Sequence, residues 1–137
     1  MVKDGVGARL KRKEDLRHLR GRAQFVGDLR IADTMEVAFV RSPVAHGRLR
    51  GVTAPAGADG RVFWAEHFPG LGAIRAVPDI PGFRASDYPP LATGKVRFVG
   101  EAVAMAVART RAEAEDLAEQ VTLDIDPLPP GRAAPAG

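Results

Sequence analysis

Apolar and other residues alternate over short stretches along most of this chain, with one stretch at helical spacing. In Met35 to Val40 (MEVAFV), Met35, Val37 and Phe39 share one face, as a half-buried strand requires, and Ser42-Pro43 ends the run. Arg48 to Thr53 alternates again with Leu49 and Val52 inward, and Gly51 marks a bulge or a break. Arg61 to Ala65 (RVFWA) is a short strand closed by Phe68-Pro69-Gly70. Lys95 to Val99 alternates around Val96 and Phe98, and Gly100-Glu101 makes a tight connection to Ala102–Ala108 (AVAMAVA). That last run puts Val103, Met105 and Val107 on one face and only alanines on the other. It predicts a strand covered on both sides, with something packed closely on the alanines.

Thr110 and Glu113 form a capping-box signature, and Ala114, Leu117 and Ala118 then fall on one face of a helix reaching Gln120. Val121 to Ile125 returns as a strand. Strand, turn, strand, helix, strand is therefore the expected order of the C-terminal half. A helix joining the last two strands predicts that they run parallel, with a right-handed crossover.

The N-terminal third is less periodic. Leu16 and Leu19 predict a short helical turn stopped at Gly21, and Ala23 to Val26 a strand ending at Gly27-Asp28. Ala54 to Gly60 is a loop by composition. Gly70 to Pro90, rich in Gly and Pro, reads as a long loop of the kind that is functional, docked on a neighbour or mobile. From Pro127 the chain is a Pro/Gly/Ala-rich tail. These readings give one domain over residues 1–126 and a flexible tail over 127–137.

Composition narrows the function. With 137 residues, 45% of them hydrophobic and only 6% aromatic, the chain can build one modest aliphatic core, which favours a domain that leans on a partner. It has no cysteine, so disulfides, thiolate metal sites and cysteine nucleophiles are excluded. No apolar run approaches the roughly 20 residues of a membrane span, and Met1 to Lys13 is polar; a soluble cytoplasmic protein is the expectation.

The net charge of +3 is concentrated at the N-terminus, where Arg9, Lys11, Arg12, Lys13, Arg17, Arg20 and Arg22 face only Glu14 and Asp15. Docking on a protein is the leading reading of that segment. A plain solvated surface is the second reading, and nucleic acid is the least favoured, because aromatic residues to stack on bases are almost missing there. His46 and His67 lie 21 residues apart with only Glu66 as a local carboxylate, a poor metal set, and His18 sits in a charged segment. Ser42 with His46 lacks the oxyanion hole and third group of a hydrolase. Gly5-Val6-Gly7 lacks the strand and third glycine of a phosphate loop. Glu101, in its turn, is expected to contact solvent, cap backbone N–H groups or face a partner.

Several motifs occur together in one order. They are Arg12-Lys13-Glu14-Asp15 with Leu19, Gly21 and Phe25-Val26-Gly27-Asp28; Phe39-Val40-Arg41-Ser42-Pro43 with Ala45-His46; Phe68-Pro69-Gly70; and Pro90-Leu91-Ala92 with Val96-Arg97-Phe98-Val99-Gly100-Glu101-Ala102-Val103-Ala104. Ala112-Glu113-Ala114-Glu115-Asp116 and Leu128-Pro129 follow. From Val6 to Pro129 the chain resembles the N-terminal α/β hammerhead domain of molybdopterin-binding large subunits, the family of xanthine dehydrogenase, aldehyde oxidase and aerobic carbon monoxide dehydrogenase. The resemblance implies an α+β fold with a small mixed sheet. It departs from the pattern at Thr53 to Gly60, which replaces an Ala-rich helix, at Ala102, which replaces a proline, and at Asp126-Pro127.

The resemblance also implies a function. Enzymes of this family hydroxylate heteroaromatic or aldehyde carbons, or oxidise carbon monoxide, at molybdopterin-bound molybdenum, with iron–sulfur clusters and usually FAD carrying electrons. Their pterin contacts and catalytic glutamate lie in longer domains that nothing in this chain matches, so no catalytic, cofactor-binding or metal residue is carried over. The expected role is a non-catalytic hammerhead portion or split subunit, inactive alone. It would pack on a molybdopterin-binding catalytic chain and an iron–sulfur subunit, and form a homodimer when isolated. Arg12, Arg17, Arg20, Arg41 and Glu101 are the interface candidates, and the alanine face of Ala102–Ala108 and the Gly70 to Pro90 loop are the surfaces a partner would cover. The alternative is a free-standing protein-binding module without enzymatic activity.

Overall fold

Seven residues of alternating Val, Met and Ala form the strand around which one sheet is built. In the computed structural model, which describes residues 6, 11–76 and 80–130, strands β1 (Glu36–Arg41), β3 (Val62–Trp64) and β7 (Ala102–Ala108) make a sheet in the order β1-β7-β3. A second sheet has the order β6-β2-β8, from β2 (Gly47–Thr53), β6 (Lys95–Val96) and β8 (Thr122–Pro127). The pair β4 (Ile74–Arg75) and β5 (Asp87–Tyr88) stands apart as a two-stranded ladder. Every one of these pairings is antiparallel.

The predicted parallel pair does not form. Helix α2 (Arg111–Glu119) carries the chain from β7 in the first sheet to β8 in the second, instead of returning it to the same sheet. Its start follows the sequence signal: Thr110 Oγ1 accepts from Glu113 N–H at 3.3 Å while the Glu113 carboxylate accepts from Thr110 N–H at 3.1 Å. Ala114 and Leu117 are buried beneath it.

The close packing expected on the alanines of β7 does form, but the chain's own helix supplies it. These alanines are not a surface waiting for a partner: Ala104, Ala106 and Ala108 are buried, and α2 lies on β7 and β1. Val40, Ala58, Val62, Ala104, Ala106, Leu117 and Val121 form this core. The methyl groups of Ala104, Ala106 and Ala108 let the helix come close to the sheet, where Leu117 packs with Val40 and Val62 of the neighbouring strands. Burying Leu117 there contributes about 1.5–3 kcal/mol.

Two bulges tune the register. Val40 pairs with Ala104 but Arg41 with Ala102, so Val103 is an extra residue on β7. It breaks the alternation, and Val103 and Ala104 are buried in succession. Val103 thereby joins Ala92 and Val96 in a second core, against Val44, Leu49, Leu123 and Ile125. On β2, Leu49 pairs with Ile125 and Gly51 with Asp124, which places a bulge at Arg50, beside the Gly51 where the sequence marks one.

Strand β6 is shorter than its alternating pattern predicts: Val96 is buried, but the chain leaves the sheet at Arg97 and Phe98 is exposed. The tail predicted from 127 starts too early. Strand β8 includes Pro127, and Leu128 N–H donates to His46 O at 2.9 Å; residues 131–137 lie outside the described part.

The segment before Met35 is a separate unit. Helix α1 (Asp15–Leu19) forms where Leu16 and Leu19 predict it, and Gly21 N–H donates to His18 O at 3.1 Å as it ends. The strand expected at Ala23 to Val26 is replaced by a 3-10 turn, Val26–Asp28, whose Asp28 carboxylate accepts from Phe25 N–H at 2.9 Å. An acidic side chain that reaches back to the backbone favours such a turn over a ladder.

Replacing Ala106 by Leu forces a larger side chain between β7 and α2 and should lower the unfolding free energy by about 1–3 kcal/mol. Urea denaturation reads the change, and Arg109→Ala, on an exposed position, should stay within about 0.5 kcal/mol of the parent.

Candidate partner interface

The two longest motifs of the chain meet at one joint. Strand β1 ends at Arg41, and in the next residue Ser42 N–H donates to Glu101 O at 2.9 Å while Gly100 N–H donates to Ser42 O at 2.8 Å. Arg41 Nη1 adds a bond to Gly100 O at 2.9 Å. Gly100 has φ +86°, a backbone conformation that a side chain would strain, so the turn can fold back onto β1 only with glycine there.

Ser42 and Glu101 are the buried polar residues at this joint, at 2% and 1% exposure. The Glu101 carboxylate accepts from Arg97 N–H and, at 3.1 Å, from Arg97 Nη1, whose side chain stays 35% exposed. The solvent contact expected of Glu101 is therefore absent: its charge holds the 97–101 turn. Ser42 Oγ donates to Val44 O at 2.9 Å and accepts from Val44 N–H at 3.2 Å. Its proton points to a backbone carbonyl, and His46 Nδ1 instead contacts Pro129 O at 2.8 Å, so the pair has no nucleophile–base geometry.

The other interface candidates belong to two units. Arg41 is exposed at the end of β1, with its guanidinium 5.5 Å from the centre of the Phe39 ring. Arg12, Arg17 and Arg20 are exposed in the N-terminal unit, on and beside α1. In the same unit Leu19, Phe25, Val26 and Ile31 are also exposed.

The apolar surface missed by the sequence reading lies on the other face of β1 and β7. Register places Phe39 beside Met105 and Val37 beside Val107, opposite the alanines. Phe39 and Met105, with Phe68, Leu71, Pro90 and Leu91, line an open hollow of about 320 Å³ with almost no polar wall. Phe39 and Leu71 remain 47% and 49% exposed. Alternation in MEVAFV and AVAMAVA does reveal this face. What it does not reveal is which of two apolar faces the chain's own helix covers.

The Gly70 to Pro90 stretch is tied at its base. Arg75 Nε and Nη2 donate to the two Asp87 carboxylate oxygens at 2.6 and 2.9 Å, across the β4–β5 ladder. Tyr88 stacks on Phe98 with ring centres 6.0 Å apart and planes at 17°. The hydrogen bond from Arg75 holds the Asp87 carboxyl below the usual carboxylate range, partial desolvation opposing it and the guanidinium charge adding to it. Ile74, Ile80 and Phe83 are exposed on this arm.

Comparison with known proteins places the chain. A family model described as "Aldehyde oxidase and xanthine dehydrogenase, a/b hammerhead domain" matches residues 20–129. The chain is 33% identical to the nicotine 6-hydroxylase large subunit of Paenarthrobacter nicotinovorans, covering 93% of the chain and 16% of the relative. It is 31% identical to the xanthine dehydrogenase molybdenum-binding subunit of Escherichia coli O157:H7, covering 86% of the chain and 17% of the relative. The crystal structure of quinoline 2-oxidoreductase from Pseudomonas putida 86 superimposes with a TM-score of 0.79 at 37% identity, over 88% of the chain and 16% of that protein. The chain thus spans about 16% of the length of such relatives.

Among the described residues no three His, Asp or Glu side chains gather to hold a metal, and the chain has no cysteine. These residues do not fit a molybdenum or iron–sulfur centre by themselves. Among the described residues, too, no helix is long and apolar enough to cross a membrane.

Glu101→Ala leaves the Arg97 N–H without its acceptor and should cost about 1–3 kcal/mol in denaturant unfolding, with Glu101→Gln milder because an amide oxygen still accepts. At Asp87 the lowered folded value sets the sign: the Arg75 pairing contributes above the ordinary carboxylate range and is lost as pH falls through the folded value. Hydrogen exchange at the cross-strand amides of the β4–β5 ladder should therefore speed up on acidification below about pH 4, beyond the intrinsic pH dependence of exchange. In Asp87→Asn it should already be fast at neutral pH.

Proposed function

Given that the chain belongs to the aldehyde oxidase and xanthine dehydrogenase family as its a/b hammerhead domain, we propose that it is a non-catalytic docking domain of a molybdenum-dependent hydroxylase. In this reading it packs on the molybdopterin-binding domains, which supply pterin contacts and substrate pocket, and next to an iron–sulfur subunit. The observation that carries the reading is the apolar face of β1 and β7 around Phe39 and Met105, left open by the chain's own core and bordered by Arg41. An apolar hollow of this kind on so small a domain marks a contact surface.

The arm from Leu71 to Pro90 extends the same surface, since Leu71 and Pro90 line both the hollow and the base of the arm. Arg12, Arg17 and Arg20 supply positive charge for an acidic partner surface in the N-terminal unit. Glu101 serves the interface indirectly, by fixing the turn against which Arg41 is held.

Native mass spectrometry of the tagged chain, isolated gently from its own host, tests the proposal. The expected result is a stable complex with a much larger chain that carries molybdenum by elemental analysis. Phe39→Asp should weaken that complex by about 30-fold or more, as loss of a central apolar anchor does. A metal-free monomer or homodimer as the sole species would overturn the enzyme reading and leave a free-standing binding module.

A further inference from the structure

The segment that leaves β8 reads Pro127-Leu128-Pro129-Pro130, and three prolines in four residues leave it a single backbone N–H, that of Leu128. Such a segment cannot continue a ladder. Its polar groups nonetheless find partners, and two of them find the same residue. Leu128 N–H donates to His46 O at 2.9 Å, and Pro129 O lies 2.8 Å from His46 Nδ1. A carbonyl oxygen only accepts, so Nδ1 carries the proton and donates.

The residues around His46 are arranged for this contact. Buried Ser42 shapes the turn before it through its two bonds to Val44. Gly47, which follows it, pairs with Pro127, and a Cβ there would meet Ile125 Cγ2 at 2.5 Å and Asp126 O at 2.9 Å. Only glycine lets β8 approach closely enough for Leu128 to reach His46 O. Pro130 then stands with His46, Arg97, Phe98 and Val99 around an open hollow.

We propose that His46 is a latch: its Nδ1–H and carbonyl oxygen together hold Leu128–Pro129 and set the path by which the chain leaves the β2–β8 sheet. It is a positioning residue, with no catalytic or metal role. This inference does not depend on the docking reading above, since every contact lies within the chain.

Hydrogen exchange of the full chain tests it with unusual directness, because Leu128 is the one exchangeable amide between Asp126 and Gly131. Asn places a side-chain amide where Nδ1 sits, whereas Gln places it where Nε2 sits. His46→Ala should raise Leu128 exchange by about fivefold, the effect of losing one hydrogen bond. His46→Asn should restore most of the protection and His46→Gln should not, with the Ala106 and Val107 amides of β7 unchanged throughout. Equal exchange in the Asn and Gln variants, or no rise in the Ala variant, would overturn the latch. Should the Ala variant fail to fold, the Asn and Gln pair still decides.

Discussion

The close seating of α2 on the alanines of β7 is the constraint on which the rest of this fold depends. Ala104, Ala106 and Ala108 offer no side chain beyond Cβ, so the helix can lie near the sheet, and Leu117, Val121, Val40 and Val62 fill what remains. From β7 the chain passes through α2 and enters the second sheet as β8. The same packing turns the other face of β1 and β7 away from α2, and there Phe39 and Met105 line an open hollow.

Polar interactions in the second half act more locally, fixing turns that hydrophobic packing alone would leave loose. Glu101 is buried, yet it is not stranded, since Arg97 supplies both a backbone and a side-chain donor. Arg97 stays partly in water, which spares the pair the full desolvation cost of a buried ion pair. Ser42 and His46 play the equivalent part on the β1–β2 connection, one by bonding to its own turn and the other by holding the proline-rich exit. The exposed pairs Arg50–Asp126 and Arg111–Glu115 add little by comparison.

Most of the elements are legible in the residues. The capping box at Thr110 and Glu113, the period of two in β1 and β7, the bulge beside Gly51 and the short helix at Leu16 and Leu19 are local signals, and each forms where the pattern puts it. What local pattern misses is reach. Ala23 to Val26 reads as extended, but Asp28 turns back to cap Phe25. Phe98 reads as inward, but the Glu101 carboxylate pulls the chain out of β6 at Arg97. The stretch from Gly70 to Pro90 reads as structureless because a two-residue ladder with one bidentate ion pair carries no periodicity.

By itself, then, the sequence determined which residues alternate, where helices begin, which turns need glycine, and, through motifs in a fixed order, the family. Those are properties of residues within a few positions of one another, or of identity retained along the chain. Only the tertiary structure decided that β7 and β8 belong to different sheets, that the alanine face is core while the Phe39 face is surface, and that His46 meets Pro129. Each of these depends on which of two similar faces or two distant segments the packing brings together. A run of alternating Val, Met and Ala is equally compatible with either face inward until a helix with room only for methyl groups settles onto one of them.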